Sequence, residues 1–376
     1  MIGIVMPQGQ ISGAERVLLE LLEELTPGNV VVFAPANSPL GIEVTRLGFP
    51  VRDFYVPKLN DTKSLRQYGR QLVRAARELN RGVKADRVRL LHAFLPLTFK
   101  IVVPVARWGR VPVIVSVYDI TSRDSIGRFR SMLQRLLVTS TAKGILAASE
   151  SVAQTLRESG YPDDKIRVIH SGLDPDRILE PPDRERFSLP RDALIFAVVV
   201  RITPWKGQDV ALEAFSNLRL KLPAQDLRLI FAGGPFEAGD QEFLASLERR
   251  TTELGLSDSV TFLGHQADPW PVYGAADVVL VPSTKPDPFP TVVLEAGFAG
   301  RPVIVTTLGG GKEAVLDGMT GIVADPTAEG FADAMMRATD QEWRSHAGDA
   351  AAAHIRSAFD RHSSAQRTAA EWEECQ

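Results

Sequence analysis

The stretch Val278–Glu295, VVLVPSTKPDPFPTVVLE, decides how the second half of this chain folds. Its four apolar residues 278–281 predict a buried strand, and the proline-rich loop that follows ends that strand. Val292–Ala299 then has the pattern of a helix, and Pro290 suits a first helical turn because its missing N–H would be unpaired there. Strand, loop and helix are the repeating unit of a wound parallel sheet.

The loop and the helix start carry groups that could hold a ligand. Asp287 and Glu295 are two carboxylates with seven residues between them. The amides of Thr291 and Val292 would be free at the helix start, which makes an anion site. Carboxylates accept from neutral hydroxyls, so the same loop suits both a sugar and a diphosphate. Asp287 taken alone is equally compatible with an ordinary turn.

A second stretch supplies cations. The apolar run Ile195–Val200 predicts a buried parallel strand, and Arg201 and Lys206-Gly207 follow its carboxyl end. In open α/β sheets, ligands bind outside the carboxyl ends of the strands. Either basic residue alone could be a solvated loop side chain, so the prediction depends on their combination with the carboxylates.

Together the two stretches resemble the family-4 retaining glycosyltransferases of the GT-B fold. Arg201 and Lys206-Gly207 are similar to that family's G-R-x4-K-G signature, and Asp287 with Glu295 to its Glu-x7-Glu element. Segments 12–20, SGAERVLLE, and 309–321, GGGKEAVLDGMTG, also resemble the family and stand in the right order. The resemblance implies an α/β chain of two doubly wound, Rossmann-like domains that face each other across a deep cleft.

The implied reaction moves a sugar from a nucleoside diphosphate sugar to a hydroxyl acceptor, with retention of the anomeric configuration. A lipid-linked glycan, a polysaccharide precursor and another glycoconjugate are the acceptor classes we consider. The implied catalytic residues are Arg201, Lys206 and Asp287. The implied donor-binding residues are Glu295, Phe289, Pro290, Thr291, Val292, Gly13, Gly233, Gly264 and His265.

Three residues are predicted on the acceptor side: His92, Tyr118 and Asp119. We place them at strand ends, and for His92 a structural role and an acceptor contact both remain open. Gly233-Gly234 follows a predicted strand directly, which suits a close approach of a ligand to the backbone. The loop that ends at Gly13 has the wrong glycine spacing for the G-x-G-x-x-G element of a dinucleotide site, which disfavours a Rossmann dehydrogenase.

The sequence departs from the family pattern at five places. Asp287 replaces the usual glutamate, Pro290 a glycine, and Val200 the glycine before the arginine. Ser12 stands where a glycine is common, and Tyr118-Asp119 where His-Asp or His-Gly is common. The Asp287 and Tyr118-Asp119 departures bear on the donor sugar and on the acceptor geometry, and they leave the class unchanged.

The length of 376 residues predicts two domains. Alternating strands and helices indicate an acceptor-side domain over 1–180, a nucleotide-sugar domain over 181–345 and a final helix over 346–376 that could cross back to the first domain. Glu180-Pro-Pro-Asp183 is the predicted linker. Met1–Met6 has the pattern of a first strand and lacks that of a signal peptide. The single cysteine, Cys375, fits a reducing compartment, so we expect a cytoplasmic protein.

We expect no cofactor and no metal requirement, because no convincing Asp-x-Asp metal motif is present. Asp163-Asp164 lies in a predicted surface turn. Two alternatives remain: a nucleotide-sugar epimerase on the same fold, which would act without an acceptor, and a non-catalytic member that binds sugar or a partner. Nucleic-acid binding is disfavoured, because aromatic residues do not alternate with the arginines.

The charge is unevenly distributed. Residues 1–180 hold 25 basic and 18 acidic side chains, net +7, whereas the remaining residues have net −10. The spacing of five arginines in the predicted helix 66–81 places them on one stripe beside an apolar one. A solvated face and contact with an anionic membrane surface are both compatible with this stripe. The arginines are Arg66, Arg70, Arg74, Arg77 and Arg81, the apolar stripe is Leu65, Tyr68, Leu72, Ala76 and Leu79, and Arg123, Arg128, Arg130 and Arg135 could extend the patch.

Overall fold

The structure is a computed structural model, and it describes residues 1–11, 13–57, 64–94, 96–120 and 128–376. The first half alternates strands and helices throughout. Its elements are β1 (Ile2–Val5), α1 (Gly13–Glu23), β2 (Val30–Ala34), α2 (Pro39–Arg46), β3 (Val51–Asp53), α3 (Leu65–Ala85), β4 (Leu90–Phe94), α4 (Pro96–Gly109), β5 (Val113–Val117), α5 (Arg128–Thr141), β6 (Ala142–Ala147), α6 (Glu150–Glu158) and β7 (Ile166–Val168).

The second half repeats the pattern and ends in two helices. Its elements are β8 (Leu194–Val199), α7 (Gln208–Lys221), β9 (Leu227–Ala232), α8 (Ala238–Glu253), β10 (Val260–Gly264), α9 (Trp270–Ala275), β11 (Val278–Val281), α10 (Thr291–Phe298), β12 (Val303–Thr306), β13 (Gly321–Ala324), α11 (Ala328–Arg337), α12 (Gln341–Ala358) and α13 (Arg361–Cys375). β13 was not predicted. The single helix predicted near the C-terminus is divided into α12 and α13, because Phe359 leaves the helical conformation at φ −130° and ψ 45°.

The chain forms two compact units. Unit 1 consists of residues 1–174 and 361–376, and unit 2 of residues 175–360. The division lies six residues before the predicted boundary, because Asp174 belongs to the packing of unit 1. There the Leu173 carbonyl accepts from the Arg361 amide at 2.9 Å, and the Asp174 carboxylate lies 3.7 Å from the Arg361 guanidinium. Arg177 instead stacks on Trp270 of unit 2, with its guanidinium carbon 4.7 Å from the ring centre.

Within the described residues, each unit contains one parallel sheet with the same core strand order. Unit 1 has seven strands in the order β3-β2-β1-β4-β5-β6-β7, and unit 2 has six in the order β10-β9-β8-β11-β12-β13. If the strands of unit 2 are counted from β8, their order is 3-2-1-4-5-6, the doubly wound order that binds nucleotides where the winding reverses. That reversal falls between β8 and β11 in unit 2, and between β1 and β4 in unit 1.

Both sheets are buried on two faces, as continuous apolar strands predict. In unit 2, Leu194, Phe196 and Val198 of β8 pack in one core with α7, α8 and α11, and the residues between them are buried as well. In unit 1, β1 packs with α1, α2 and Trp372 of α13. The last helix is therefore part of the core of unit 1.

Candidate functional site

The two predicted loops meet at the reversal point of unit 2. One loop follows β8, the other follows β11, and these strands are hydrogen-bonded neighbours. Thr284 of the second loop donates its amide to the Trp205 carbonyl of the first at 2.9 Å. The sheet order thus brings together residues that are more than eighty positions apart in sequence, such as Lys206 and Asp287.

Gly207 sets the close packing of the two loops. Pro204–Lys206 forms a single 3₁₀ turn that ends at Gly207, whose φ is +74°. A Cβ at Gly207 would lie 2.0 Å from the Pro282 carbonyl oxygen, a distance that no side chain can adopt. Glycine is required here both by the left-handed backbone and by the neighbouring chain. This packing places Lys206 beside the loop that carries Asp287.

Lys206 and Asp287 form an ion pair. The Lys206 Nζ lies 2.5 Å from Asp287 Oδ2, and the two side chains are only 13% and 10% exposed. The Lys206 ammonium also lies 4.2 Å from the centre of the Trp205 ring. An ammonium has three donors, and Asp287 is the only anionic partner of Lys206 within the described residues. Lys206 can therefore contact a further anion while it keeps Asp287 in place.

Glycines after β12 hold the backbone of Asp287. The Gly310 amide donates to the Asp287 carbonyl at 2.8 Å, and Gly309 pairs with Asp287 as an isolated parallel bridge. Gly309 has φ +76°, and a Cβ there would lie 2.2 Å from the same carbonyl oxygen. The segment 309–321 thus acts on the site through its backbone, which fixes the loop that presents Asp287.

Glu295 is buried on α10 and has a partner that the sequence did not reveal. Tyr273 is fully buried on α9, and its hydroxyl donates to Glu295 Oε2 at 2.5 Å. The Arg301 side chain fixes the end of α9 by donating to the carbonyls of Tyr273 and Gly274 at 3.1 and 2.8 Å. Nothing in the sequence distinguishes Tyr273 from an ordinary core tyrosine, because only the fold brings α9 beside α10.

The other predicted residues of this loop lie at the start of α10. Pro290 is the N-cap residue, with φ −69° and ψ 119°, so it precedes the first helical turn and does not belong to it as predicted. Thr291 and Val292 are the first two residues of α10, and both are half-buried. Phe289 packs against Phe359, with ring centres 5.8 Å apart. Their contact with a donor remains a prediction.

Gly233, which follows β9, and Gly264, which ends β10, have a structural explanation. Gly233 donates its amide to the Gly264 carbonyl at 2.8 Å, and a Cβ at Gly233 would lie 1.9 Å from the Val200 carbonyl oxygen. The backbone that approaches Gly233 is therefore that of the β8 end, where a ligand was predicted. Gly264 has φ +67°, and His265 is exposed beside Gly234.

Arg201 is exposed just past the end of β8. Its guanidinium carbon lies 6.0 Å from the centre of the Phe236 ring, and the buried Gln208 amide donates to the Arg201 carbonyl at 2.8 Å. Asp240 lies nearby. Burial alone would raise the pKa of Asp240, but the Thr203 hydroxyl, two backbone amides and the Arg201 charge together lower it. The Arg201 guanidinium has no ion pair within the described residues, which leaves it available to an anion.

In unit 1, His92 is a structural residue. It is the third residue of β4 and fully buried, and not at a strand end as predicted. The Trp372 indole donates to His92 Nδ1 at 3.1 Å, so the proton of the neutral ring is on Nε2, which lies 2.7 Å from the Ser116 hydroxyl. Burial lowers the pKa of His92 to about 3. Because both ring nitrogens are occupied, we correct the acceptor prediction in favour of the structural alternative.

The remaining predicted residues of unit 1 lie at exposed or half-buried positions. Tyr118 stacks on Phe94 with ring centres 5.6 Å apart, and burial raises its pKa to about 12. Asp119 follows it and is exposed. Gly13 begins α1, and a Cβ there would meet no atom within 4 Å, so packing does not require glycine at this position. Ser12 lies outside the described residues.

Two negative findings concern the described residues only. No three His, Cys, Asp or Glu side chains are grouped there as the ligands of a metal ion would be. No helix in the same ranges has both the length and the apolar character that a membrane crossing needs. The metal-independent mechanism and the location of the protein both stay predictions.

Family models match both units. The model described as "Glycosyltransferase Family 4" matches residues 11–177, and that described as "Glycosyl transferases group 1" matches residues 180–354. The chain belongs to the family-4 glycosyltransferases. The two matches together include all the site loops described above, and they end before the C-terminal helix α13.

Curated relatives of this glycosyltransferase chain are similar over part of their length. A D-inositol 3-phosphate glycosyltransferase of Mycolicibacterium smegmatis is 37% identical over 213 residues, which are 54% of this chain and 47% of the relative. That of Stackebrandtia nassauensis is 34% identical over 238 residues, 58% and 52% of the two chains. The chain thus spans about half the length of the curated relatives that it matches.

Solved structures confirm the predicted GT-B fold class. Anabaena Alr3699/HepE in complex with UDP has a TM-score of 0.87 at 22% identity, with 99% of both chains covered. Sucrose-phosphate synthase from Thermosynechococcus elongatus has a TM-score of 0.80 at 20% identity, covering 99% of this chain and 98% of that one. Both are similar over whole chains, and at this identity the likeness concerns the fold.

Proposed function

We propose that this chain transfers a sugar from a nucleoside diphosphate sugar to a hydroxyl acceptor with retention of configuration and without a metal ion. The observation that supports this most is the juxtaposition of Arg201, Lys206 and Asp287 at the reversal point of unit 2. As the glycosidic bond breaks, negative charge builds up on the leaving diphosphate. Cations already held in place stabilise that charge without reorganisation, which lowers the barrier.

Each residue has a role that its environment supports. Arg201 offers a planar fork of donors to the diphosphate, and Lys206 offers a point charge. Asp287 holds Lys206 in place through their ion pair, and its second oxygen can accept from a hydroxyl of the donor sugar. Glu295 has Oε2 bound to Tyr273, while its other oxygen has no hydrogen-bond partner in the described part of the chain and can accept from the ribose.

We propose uridine as the donor base, because the HepE structures contain UDP and UDP-glucose. For the acceptor, the named activity of the curated relatives makes D-inositol 3-phosphate one candidate, and lipid-linked glycans another. The test incubates the protein with uridine, guanosine and adenosine diphosphate sugars and each acceptor, with and without excess chelator. Mass spectrometry detects the product, and NMR gives its anomeric configuration.

The expected result is an acceptor-dependent glycoside of retained configuration, formed equally well in chelator. A free or altered sugar formed without any acceptor would indicate the epimerase alternative. Binding of donor without turnover on any acceptor would support the non-catalytic alternative. A need for added divalent metal would contradict the metal-independent mechanism only.

We also propose that α3 attaches unit 1 to an anionic membrane surface from the cytoplasmic side. All five arginines of the stripe are exposed, and the one ion pair found for them joins Arg74 to Glu78 at 2.9 Å. Val73 on α3 is half exposed, and α4, which packs against α3, exposes 85% of Trp108. Exposed arginines beside Trp are typical of surfaces that lie on lipid headgroups.

A further inference from the structure

A cavity of about 590 Å³ opens in unit 1, at the opposite end of the strands from the predicted acceptor-side residues. It lies at the amino ends of β5, β6 and β7, whereas the predicted acceptor-side residues Tyr118 and Asp119 follow the carboxyl end of β5. Its volume is within the range of small-molecule sites, which is roughly 300–1,000 Å³. All of its lining residues belong to unit 1.

Five basic side chains line this cavity, against two acidic ones. Arg107 and Arg110 come from the end of α4 and the turn after it, Lys143 from β6, and Lys165 and Arg167 from the start of β7. Residues this far apart in sequence are brought to one cavity only by the fold. The excess of cations indicates an anionic ligand.

Two of the cations are held in place by neutral groups. Lys165 Nζ donates to the carbonyls of Thr139 and Ala142 at 2.7 and 3.0 Å. Arg167 donates to the carbonyls of Asp164 and Ile166 at 2.8 and 3.1 Å. Carbonyl oxygens orient a cation without neutralising it, so the positive charge of Lys165 remains to act on the cavity. Arg167 also forms an ion pair with Glu371 at 3.6 Å, which offsets part of its charge.

The other three cations have no hydrogen bond or ion pair within the part of the chain that the structure describes. These are Arg107, Arg110 and Lys143. Arg110 has φ +55°, a left-handed conformation that non-glycine residues rarely adopt. Five basic groups gathered beside only two carboxylates repel one another, so the arrangement is stabilised when a further anion lies among them.

We propose that this cavity binds a phosphorylated sugar or polyol. Arg107, Arg110 and Lys143 would hold its phosphate, because guanidinium forks and ammonium groups are the usual protein ligands of phosphate. Glu371 and Glu374 of α13 line the same cavity and would accept hydrogen bonds from hydroxyls of the ligand. This site is separate from that of the proposed transfer reaction and does not depend on it.

The only cysteine of the chain, Cys375, lines the cavity and serves as a probe of its occupancy. The test measures the rate at which a thiol reagent labels Cys375, with glucose 6-phosphate, with glucose, and with sodium chloride at matched ionic strength. If only the unoccupied cavity reacts, glucose 6-phosphate at ten times its Kd slows labelling roughly tenfold. Glucose and sodium chloride should leave the rate unchanged.

Variants connect the protection to the proposed cations. Arg107→Ala and Lys143→Ala replace exposed side chains and should abolish the protection, whereas Arg249→Ala, which replaces an exposed arginine of unit 2 outside the cavity lining, should retain it. Inorganic phosphate and vesicles with phosphatidic acid form two further arms. Protection by inorganic phosphate supports the phosphate site, whereas protection by the vesicles alone would assign the phosphate to a lipid headgroup and contradict a sugar or polyol phosphate as the ligand.

Three further results would overturn the proposal. The first is a labelling rate that no phosphate compound changes. The second is equal protection by sodium chloride, which would reduce the effect to general screening. The third is protection that persists in both Arg107→Ala and Lys143→Ala, which would place the bound anion elsewhere on the protein.

Discussion

The two units have the same core strand order but use polar residues in opposite ways. In unit 2, Lys206 and Asp287 lie beyond the ends of their strands and are paired as charges, still partly open to solvent. In unit 1, His92 lies inside β4, is sealed by Trp372 and Ser116, and stays neutral. Topology provides an equivalent reversal point in each sheet. Whether a polar residue becomes part of a site or part of the core depends on its position relative to the strand end.

The largest expected effect concerns the charged residues at the reversal point of unit 2. Lys206→Ala should lower the rate of sugar transfer by roughly 10²–10³-fold, the scale of losing one electrostatic contact to a transition state. Arg201→Ala should have a similar effect. The measurement is kcat/KM for the proposed donor and acceptor, together with the melting temperature of each variant.

Lys221→Ala is the matched control. Lys221 is an exposed lysine of the same unit, and its pair with Asp333 lies on the surface at 3.2 Å, so its removal should leave transfer unchanged. If both Lys206→Ala and Arg201→Ala transfer sugar as fast as the unchanged protein, the reversal point of unit 2 has no catalytic function and the comparison fails.

The buried, neutral His92 of unit 1 predicts how the stability of the protein depends on pH. His92 has a pKa of about 3 when folded, against 6.5 for an ordinary histidine. Between these values the unfolded chain binds a proton that the folded chain does not, so stability falls as pH falls below about 6.5. His92→Gln keeps a donor and an acceptor without titrating. From pH 7 to pH 5, the unchanged protein should lose about 2 kcal/mol more than this variant.

Urea unfolding at the two pH values measures this difference. The two proteins differ only at residue 92, so the contributions of all other groups cancel in the comparison. Equal losses of stability in the two proteins would mean that His92 is accessible to protons in the folded state, and the acceptor alternative for His92 would return.

Tyr273 tests whether a buried neutral partner also matters in unit 2. Tyr273→Phe removes the hydrogen bond that orients Glu295, so we expect roughly a tenfold rise in KM for the donor, the scale of a hydrogen bond to a charged group. The kcat should change little, because the proposed ribose contact is uniform between ground and transition states. The measurement is steady-state kinetics with Tyr273→Phe, Glu295→Gln and the double variant.

If Tyr273 acts through Glu295, the double variant should be no worse than Glu295→Gln alone. Discrimination against a 2′-deoxyribose donor should also fall in Tyr273→Phe, a change that loss of packing alone would not produce. Additive effects with an unchanged ribose preference would assign Tyr273 to the core only.

The sequence predicted most strands because continuous apolar runs bounded by Gly and Pro are strong signals. β11 has the predicted bounds, and β8 begins and ends one residue before the predicted run Ile195–Val200. β13 was missed, since Gly321–Ala324 is only four residues long and begins with a glycine. The apolar stripe predicted on α3 was incomplete: Leu79 is buried, but Ala75 and Val83 are buried as well and were not included. Tyr68, Leu72 and Ala76 of the predicted stripe are half-buried.

The site was predicted as a set of residues and not as a set of contacts. Family motifs indicated Lys206, Asp287 and Glu295, but the Lys206–Asp287 pair and the Tyr273–Glu295 bond arise only when the sheet brings separate segments together. Gly233 was interpreted as making room for a ligand, whereas the Val200 carbonyl occupies that space. A local pattern shows that space is needed and does not show what fills it.

The smallest expected effect concerns the charge difference between the units. Residues 1–180 have net +7 and the remaining residues net −10, and the α3 arginines account for five of the positive charges in the first range. Each exposed basic residue near an anionic membrane contributes about 1 kcal/mol, so Arg70→Ala should weaken binding to anionic vesicles about fivefold.

Arg249→Ala is the matched control, because Arg249 is an exposed helical arginine of unit 2. Vesicle co-sedimentation at low and high salt measures both variants. Arg123 lies outside the described residues, as do the side chains of Arg128 and Arg130, so the test is confined to α3. Binding that does not depend on salt or on lipid charge, or that falls equally in the two variants, would contradict the membrane proposal. The arginine stripe of α3 would then be an ordinary solvated surface.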